Sequence, residues 1–144
     1  MPPRTADVAI VGAGLVGLAT AHALATTHRL RVVVLEKDAH VAPHQSSHNS
    51  GVIHSGLYYT PGSARARLCT DGRGRMVEYC RAHGIAHDVC GKLVVATRED
   101  ELARLDGLLA RGRDIGLDVR TVDPAEMRAI EPHVGGLGAL FVPE

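Results

Sequence analysis

Two stretches of this sequence have residue types and spacings suited to chemistry. The first is Gly12-Ala13-Gly14-Leu15-Val16-Gly17, a GxGxxG run that follows the apolar stretch DVAIV and opens GLATAHALA. In such a turn the first glycine allows a tight reversal and the second lets a pyrophosphate approach the backbone. The third lets the helix close on the strand. Free N–H groups and the positive end of the helix dipole attract phosphate. Glu36 lies 24 residues after Gly12, at the end of the apolar run RVVVL, where a carboxylate accepts from ribose hydroxyls. A glycine turn can also be a packing device without a ligand. The strand before it, the helix after it and the acid closing the next strand favour a dinucleotide. The second stretch is HNSGVIHSGLYYTPGSARARLC, residues 48 to 69. It holds two of the four aromatic residues, Tyr58 and Tyr59, the others being Tyr79 and Phe141.

Between the two stretches lies His44-Gln45-Ser46-Ser47-His48-Asn49-Ser50-Gly51, rich in small hydroxyls and amides. Glu36 would repel the extra phosphate of NADP. A nicotinamide fold usually passes into another helix soon after its second strand, whereas FAD binds extended and needs such donors. The alternative is a solvated loop. Candidate cofactor-binding residues are therefore Gly12, Gly14, Leu15, Val16, Gly17, Glu36, Lys37, Ser46, Ser47 and Asn49. His40, His44 and His48 fall at i, i+4, i+8, which on a helix would make a metal-binding face. Pro43 inside that span makes it a loop, so no metal is expected.

The elements that must position these residues follow from apolar runs and breakers. Strands are expected at Asp7 to Val11 and Arg31 to Leu35, with a helix from about Leu15 between them. A polar loop spans 38 to 60. Helix follows from Ser63 to His83, then strand from Lys92 to Thr97 and helix from Glu99 to Gly112. A strand at Leu117 to Val122 and a short helix at Pro124 to Ile130 complete the prediction. Gly72 and Gly74 each cost a helix about 1 kcal/mol, which reads as drift or, slightly favoured, as close approach of a neighbour or ligand.

The chain has 144 residues, zero formal net charge and a 45% hydrophobic fraction, enough for a globular core. Fourteen of its sixteen basic residues are arginines, scattered rather than clustered, so nothing points to nucleic acid or an anionic membrane. No signal peptide precedes the first strand, and no apolar run reaches the roughly 20 residues that span a bilayer. Cys69, Cys80 and Cys90 are odd in number, 11 and 10 residues apart and without a CxxC form. They read as packing residues or spectators of a cytoplasmic protein.

Together GAGLVGLA, VVVLEK and HQSSHNSGVIHSGLYYTPGSARARLC resemble the L-2-hydroxyglutarate oxidase/dehydrogenase family, among the D-amino-acid-oxidase-like FAD-dependent oxidoreductases. YCRAHGI, CGKLVVAT and EPHVGGLGALFVPE extend the resemblance along the chain. His28 departs from a glycine often found there. The resemblance implies an α/β fold: a Rossmann-like FAD-binding βαβ unit over residues 1–84, then the start of an α+β substrate domain over 85–144. Family members run to several hundred residues, so the fold is expected to be incomplete, an N-terminal portion.

The resemblance also implies roles in the second stretch. Ser50, Gly51 and Val52 would line the flavin ring, and His54 would face the substrate. Related glycerol-3-phosphate oxidising enzymes carry an arginine four residues after the matching histidine, where this chain has Tyr58. Oxidising a 2-hydroxy acid removes a hydride from Cα and a proton from the hydroxyl, and a neutral imidazole suits the proton step. His54 is thus the candidate base, against a structural histidine. Tyr58 and Tyr59 are packing residues or hydrogen-bond donors to a substrate carboxylate. The implied activity is oxidation of L-2-hydroxyglutarate to 2-oxoglutarate. The alternatives are an inactive fragment that at most binds a nucleotide, or a related glycerol-3-phosphate or amino-acid oxidising enzyme. A peripheral membrane or quinone contact, at the inner face of the cell membrane, is compatible with the full-length protein. The electron acceptor and the oligomeric state are left open.

Overall fold

The computed structural model describes residues 5–143. In chain order the elements are β1 Val8–Val11, α1 Leu15–Thr27, β2 Val32–Leu35, α2 Ala64–Ala82, β3 Lys92–Ala96, α3 Glu99–Asp114, β4 Arg120–Val122, α4 Pro124–Ile130 and β5 Gly138–Val142. They form two compact units, Met1–Val52 and Ile53–Glu144. That division falls earlier than the expected domain boundary at 84/85 and groups α2 with the second sheet.

In the first unit β1 and β2 pair in parallel, Val8 opposite Val32 through Val11 opposite Leu35, with α1 as the crossover. Parallel strands need such a crossover, and the run LVGLATAHALATT suits a helix because it contains no proline and is mostly alanine and leucine. The helix ends at His28, and the left-handed residue is the next one, Arg29 (φ 54°), rather than His28. The strand starts are clamped by Asp7, whose carboxylate accepts from the Arg31 backbone N–H (2.8 Å) and from Nη2 (2.7 Å).

In the second unit an antiparallel sheet runs in the order β3-β5-β4. Alternation along β5 separates two apolar clusters. Leu140 and Val142 join Leu57, Ala96, Leu105, Leu117 and Val119. Ala139 joins Val122 and Met127, with Phe141 packed beside them. The helix α4 starts where Asp123 accepts from the N–H groups of Ala125 and Glu126 (both 2.8 Å) ahead of Pro124 at its first turn. Ser63 caps α2 in the same way through Ala66 N–H (3.2 Å).

Three expectations need correction. The strand β5, central in the sheet, is absent from the predicted elements. The strand β4 begins at Arg120 rather than Leu117, although Leu117 and Val119 are buried. A Cβ on Gly72 or Gly74 would meet nothing within 4 Å among the described residues, so no neighbour among them explains either glycine. Among the described residues no helix is long and apolar enough to cross a membrane.

Candidate functional site

The glycine turn is built by its own backbone and by two side chains from far along the chain. Gly12 adopts φ +100°, a conformation that glycine supplies without a Cβ penalty, and its N–H donates to the Leu35 carbonyl (2.7 Å). Gly17 closes the helix on the turn, since a Cβ there would lie 2.0 Å from the Gly12 carbonyl oxygen. Ala13 is buried, and its N–H donates to Glu36 Oε2 (2.7 Å). Glu36 Oε1 accepts from the N–H groups of Lys37 (2.8 Å) and Asp38 (3.1 Å). These bonds, that from Ala13 first, hold the Glu36 carboxyl below its ordinary range, so it is charged near neutrality. A carboxylate has about four acceptor positions, so capacity remains for a ligand hydroxyl.

At the start of α1, Leu15 N–H donates to Ser46 Oγ (2.9 Å) across 31 residues. The same oxygen would lie 3.3 Å from a Cβ placed on Gly14. Ser46 accepts one bond and keeps its own O–H as a donor beside the positive end of the helix. The polar loop is therefore ordered against the turn. Ala42 N–H donates to the Ala13 carbonyl (3.0 Å), and Ser47 Oγ donates to the Ala42 carbonyl (2.5 Å). Asn49 Nδ2 donates to the Gln45 (3.1 Å) and Ser46 (2.9 Å) carbonyls, and its Oδ1 accepts from Gly51 N–H (2.7 Å).

Of the candidate cofactor residues, Gly12, Gly14, Gly17, Glu36 and Ser46 meet around one turn. Ser47 and Asn49 brace the loop by bonding its backbone. Lys37 contributes its backbone N–H to Glu36, while its side chain is largely exposed with Nζ 3.8 Å from Asp38. Leu15 and Val16 leave their side chains exposed and contribute backbone at the helix start. Ser50, Gly51 and Val52 are exposed at the end of the unit. His44 and His48 share a turn in which His48 Nδ1 lies 3.0 Å from the His44 carbonyl. His44 Nε2 lies 3.5 Å from Asp38.

The second unit carries the other half of the prediction. Leu57 is fully buried in the main cluster and pins the segment on either side of it. Gly112 on α3 makes room, because a Cβ there would lie 2.9 Å from Leu57 Cδ1 and 2.6 Å from Val119 Cγ1. The chain reverses through Gly56 (φ +90°), with Tyr59 N–H donating to the Gly56 carbonyl (2.9 Å). Cys69 Sγ donates to the His54 carbonyl (3.1 Å). His54 and Tyr58 thus stay exposed while the residues between them are anchored. His54, Gly56, Tyr58, Tyr59 and Lys92 line one cleft of about 190 Å³. Lys92 Nζ sits 5.0 Å from the centre of the Tyr58 ring.

Sequence reasoning brought His54, Tyr58 and Tyr59 together but missed Lys92, Cys69 and Gly112. A lysine opening an apolar strand carries no motif. The one available signal was a cation at the edge of the run GKLVVAT.

The model of the family described as FAD dependent oxidoreductase matches residues 7–144. The mitochondrial L-2-hydroxyglutarate dehydrogenase of Dictyostelium discoideum is 49% identical over 141 residues, covering 95% of this chain and 32% of that protein. Among solved structures, glycine oxidase from Geobacillus kaustophilus superposes with a TM-score of 0.84 at 27% identity, covering 96% of this chain and 39% of the other. The L-alpha-glycerophosphate oxidase of Mycoplasma pneumoniae, reduced by dithionite and with FAD bound, gives 0.81 at 28% identity, covering 97% and 38%. The chain thus spans about a third of the length of the curated relatives it matches.

Proposed function

This chain belongs to the FAD-dependent oxidoreductase family, and from that premise we propose that it is the FAD-binding and substrate-facing portion of an L-2-hydroxyglutarate-oxidising enzyme. In that reading residues 1–84 serve the cofactor and 85–144 begin the substrate side. The glycine turn carries the cofactor half. Its pyrophosphate seat lacks a Cβ at Gly14, is flanked by the Ser46 hydroxyl and stands at the start of α1. Glu36, charged and held by Ala13, suits the ribose hydroxyls. These groups fit FAD, and Ser50, Gly51 and Val52 are assigned to its ring edge.

Bound FAD supplies the two-electron acceptor for converting an alcohol carbon to a carbonyl. The protein's part is to position the substrate and take the hydroxyl proton. His54 is assigned the second, since it lines the cleft and its backbone carbonyl is held by Cys69. Tyr58 and Tyr59 line the same cleft. The substrate assignment is supported by 49% identity to a relative named for L-2-hydroxyglutarate. Glycine and glycerol 3-phosphate are less well supported, since the oxidases named for them match at only 27% and 28% identity.

The test uses the full-length protein, purified with its flavin. L-2-hydroxyglutarate should bleach the flavin absorbance anaerobically and yield 2-oxoglutarate. His54→Gln should retain flavin and slow that reduction by about 10²–10⁴-fold, the range of lost general-base catalysis. Wild-type protein that is not reduced by L-2-hydroxyglutarate would refute the substrate. Fast reduction by His54→Gln would remove His54 as the base.

A further inference from the structure

We infer that Lys92 is the cation that receives a carboxylate of the substrate in the cleft it shares with His54, an inference that rests on the 2-hydroxy-acid reading above. Lys92 opens β3 and is registered opposite Val142, so its backbone is fixed by the antiparallel sheet. Its side chain lines the same cleft as His54, Tyr58 and Tyr59. The ammonium lies over the Tyr58 ring at 5.0 Å, and no carboxylate lies within ion-pair distance of it among the described residues. Partial burial pushes the Lys92 amine below the ordinary lysine range, with the nearby Cys69 opposing that shift.

A partly buried ammonium whose neighbours are an aromatic face and the Cys69 thiol lacks a full counter-charge. A ligand carboxylate supplies that charge and hydrogen-bonds as well. The chemistry of the neighbour agrees. A 2-hydroxy acid carries its carboxylate one bond from the carbon that is oxidised, so a cation and a base must share one small site. At about 190 Å³ the cleft suits a small organic acid better than a drug-sized ligand. Tyr58, at the place where glycerol-3-phosphate enzymes have an arginine, then acts as the platform that keeps Lys92 over the cleft. The rival role for Lys92 is purely structural, a cation stacked on Tyr58 that steadies the turn.

The two roles separate in the full-length holoprotein with Lys92→Met and Lys92→Arg, using glutarate as a non-oxidisable probe. Glutarate binding is read by calorimetry and by perturbation of the flavin spectrum. Lys92→Met should keep its flavin content and melting temperature while its glutarate Kd rises about 10- to 100-fold, the size of a lost charge-assisted hydrogen bond. The KM for L-2-hydroxyglutarate should rise in parallel with kcat changed less, and Lys92→Arg should recover part of both. A purely structural lysine predicts the reverse: a lower melting temperature, with glutarate affinity unchanged in the protein that remains folded. That result overturns the inference. If wild-type protein ignores L-2-hydroxyglutarate but binds another carboxylate in a series of lactate, glycolate, glycine and proline, the substrate assignment falls. Lys92 is then judged on that ligand by the same shift. If no carboxylate of the series binds wild-type protein, both fall.

Discussion

The two compact units are held together by different means. In Met1–Val52 the only buried apolar residue among those described is Ala13, and α1 buries none of its side chains. One face of its parallel pair is open, with Val33 39% and Leu35 53% exposed, while α1 partly covers the other, although such strands are normally covered on both sides. What organises that unit is hydrogen bonding between distant backbone and side chain: Ala13 to Glu36, Leu15 to Ser46, Ala42 to Ala13. Ile53–Glu144 has the opposite character, with apolar clusters on both faces of an antiparallel sheet. A phosphate turn is thus specified by backbone conformation and the absence of Cβ atoms, whereas the cleft with His54 depends on a packed interior that pins Leu57.

That contrast can be broken at its strongest point by Gly17→Val. Its Cβ would sit 2.0 Å from the Gly12 carbonyl oxygen, a backbone atom that cannot yield cheaply. The expected outcome is loss of flavin from the purified full-length protein and destabilisation above about 4 kcal/mol, measured by the flavin-to-protein absorbance ratio and by denaturant unfolding. A yellow protein of normal stoichiometry would show that the turn tolerates a side chain there.

Leu57→Ala addresses the other unit. Removing a fully buried leucine should cost about 2–5 kcal/mol in urea unfolding, with the flavin ratio kept under native conditions. If flavin is lost in proportion to stability, the units are energetically one and the contrast fails.

The smallest effect belongs to the clamp at the strand starts. The Asp7 carboxyl is lowered from 3.8 to about 2, by the Arg31 side-chain hydrogen bond first and by the Arg31 backbone N–H next. Because the folded value is depressed, the clamp stabilises fully above the unfolded value near 3.8 and loses that contribution as pH falls through about 2. The side chains are substantially exposed, so the effect is modest and screened by salt. Carbon-detected NMR titration should place the Asp7 midpoint well below the ordinary aspartate value, and Arg31→Ala should return it. An unshifted midpoint would mean the clamp is not populated.

Much of this was legible in the residues. The short helix Pro124–Ile130 matched at both ends because Asp123 and Pro124 mark its start by capping and by a fixed φ, while Glu131 ends it in an extended conformation. The glycine turn was legible because each glycine is required by a steric fact local to a few residues. The strand β5 was not, since Gly135, Gly136 and Pro143 flank it and Gly138 is the first of its five residues, a pattern that reads as loop. Gly136 is in fact packed, its absent Cβ standing 2.3 Å from Val95 Cγ1. The bonds that order the polar loop span up to 31 residues, and no periodicity encodes them. Lys92 enters the cleft through a strand register that only the folded sheet reveals.

Leu57 has one more consequence, for motion. Because it is wholly buried while His54 and Tyr58 flank it in the open, the segment cannot swing aside without withdrawing a side chain from the main cluster. Opening there is expected to require loosening of that cluster, so hydrogen exchange should find the Tyr59 amide, bonded to the Gly56 carbonyl, among the protected protons. The backbone that bears the imidazole is thus tied to the packed interior on one side by Leu57 and by the Cys69 bond to the His54 carbonyl.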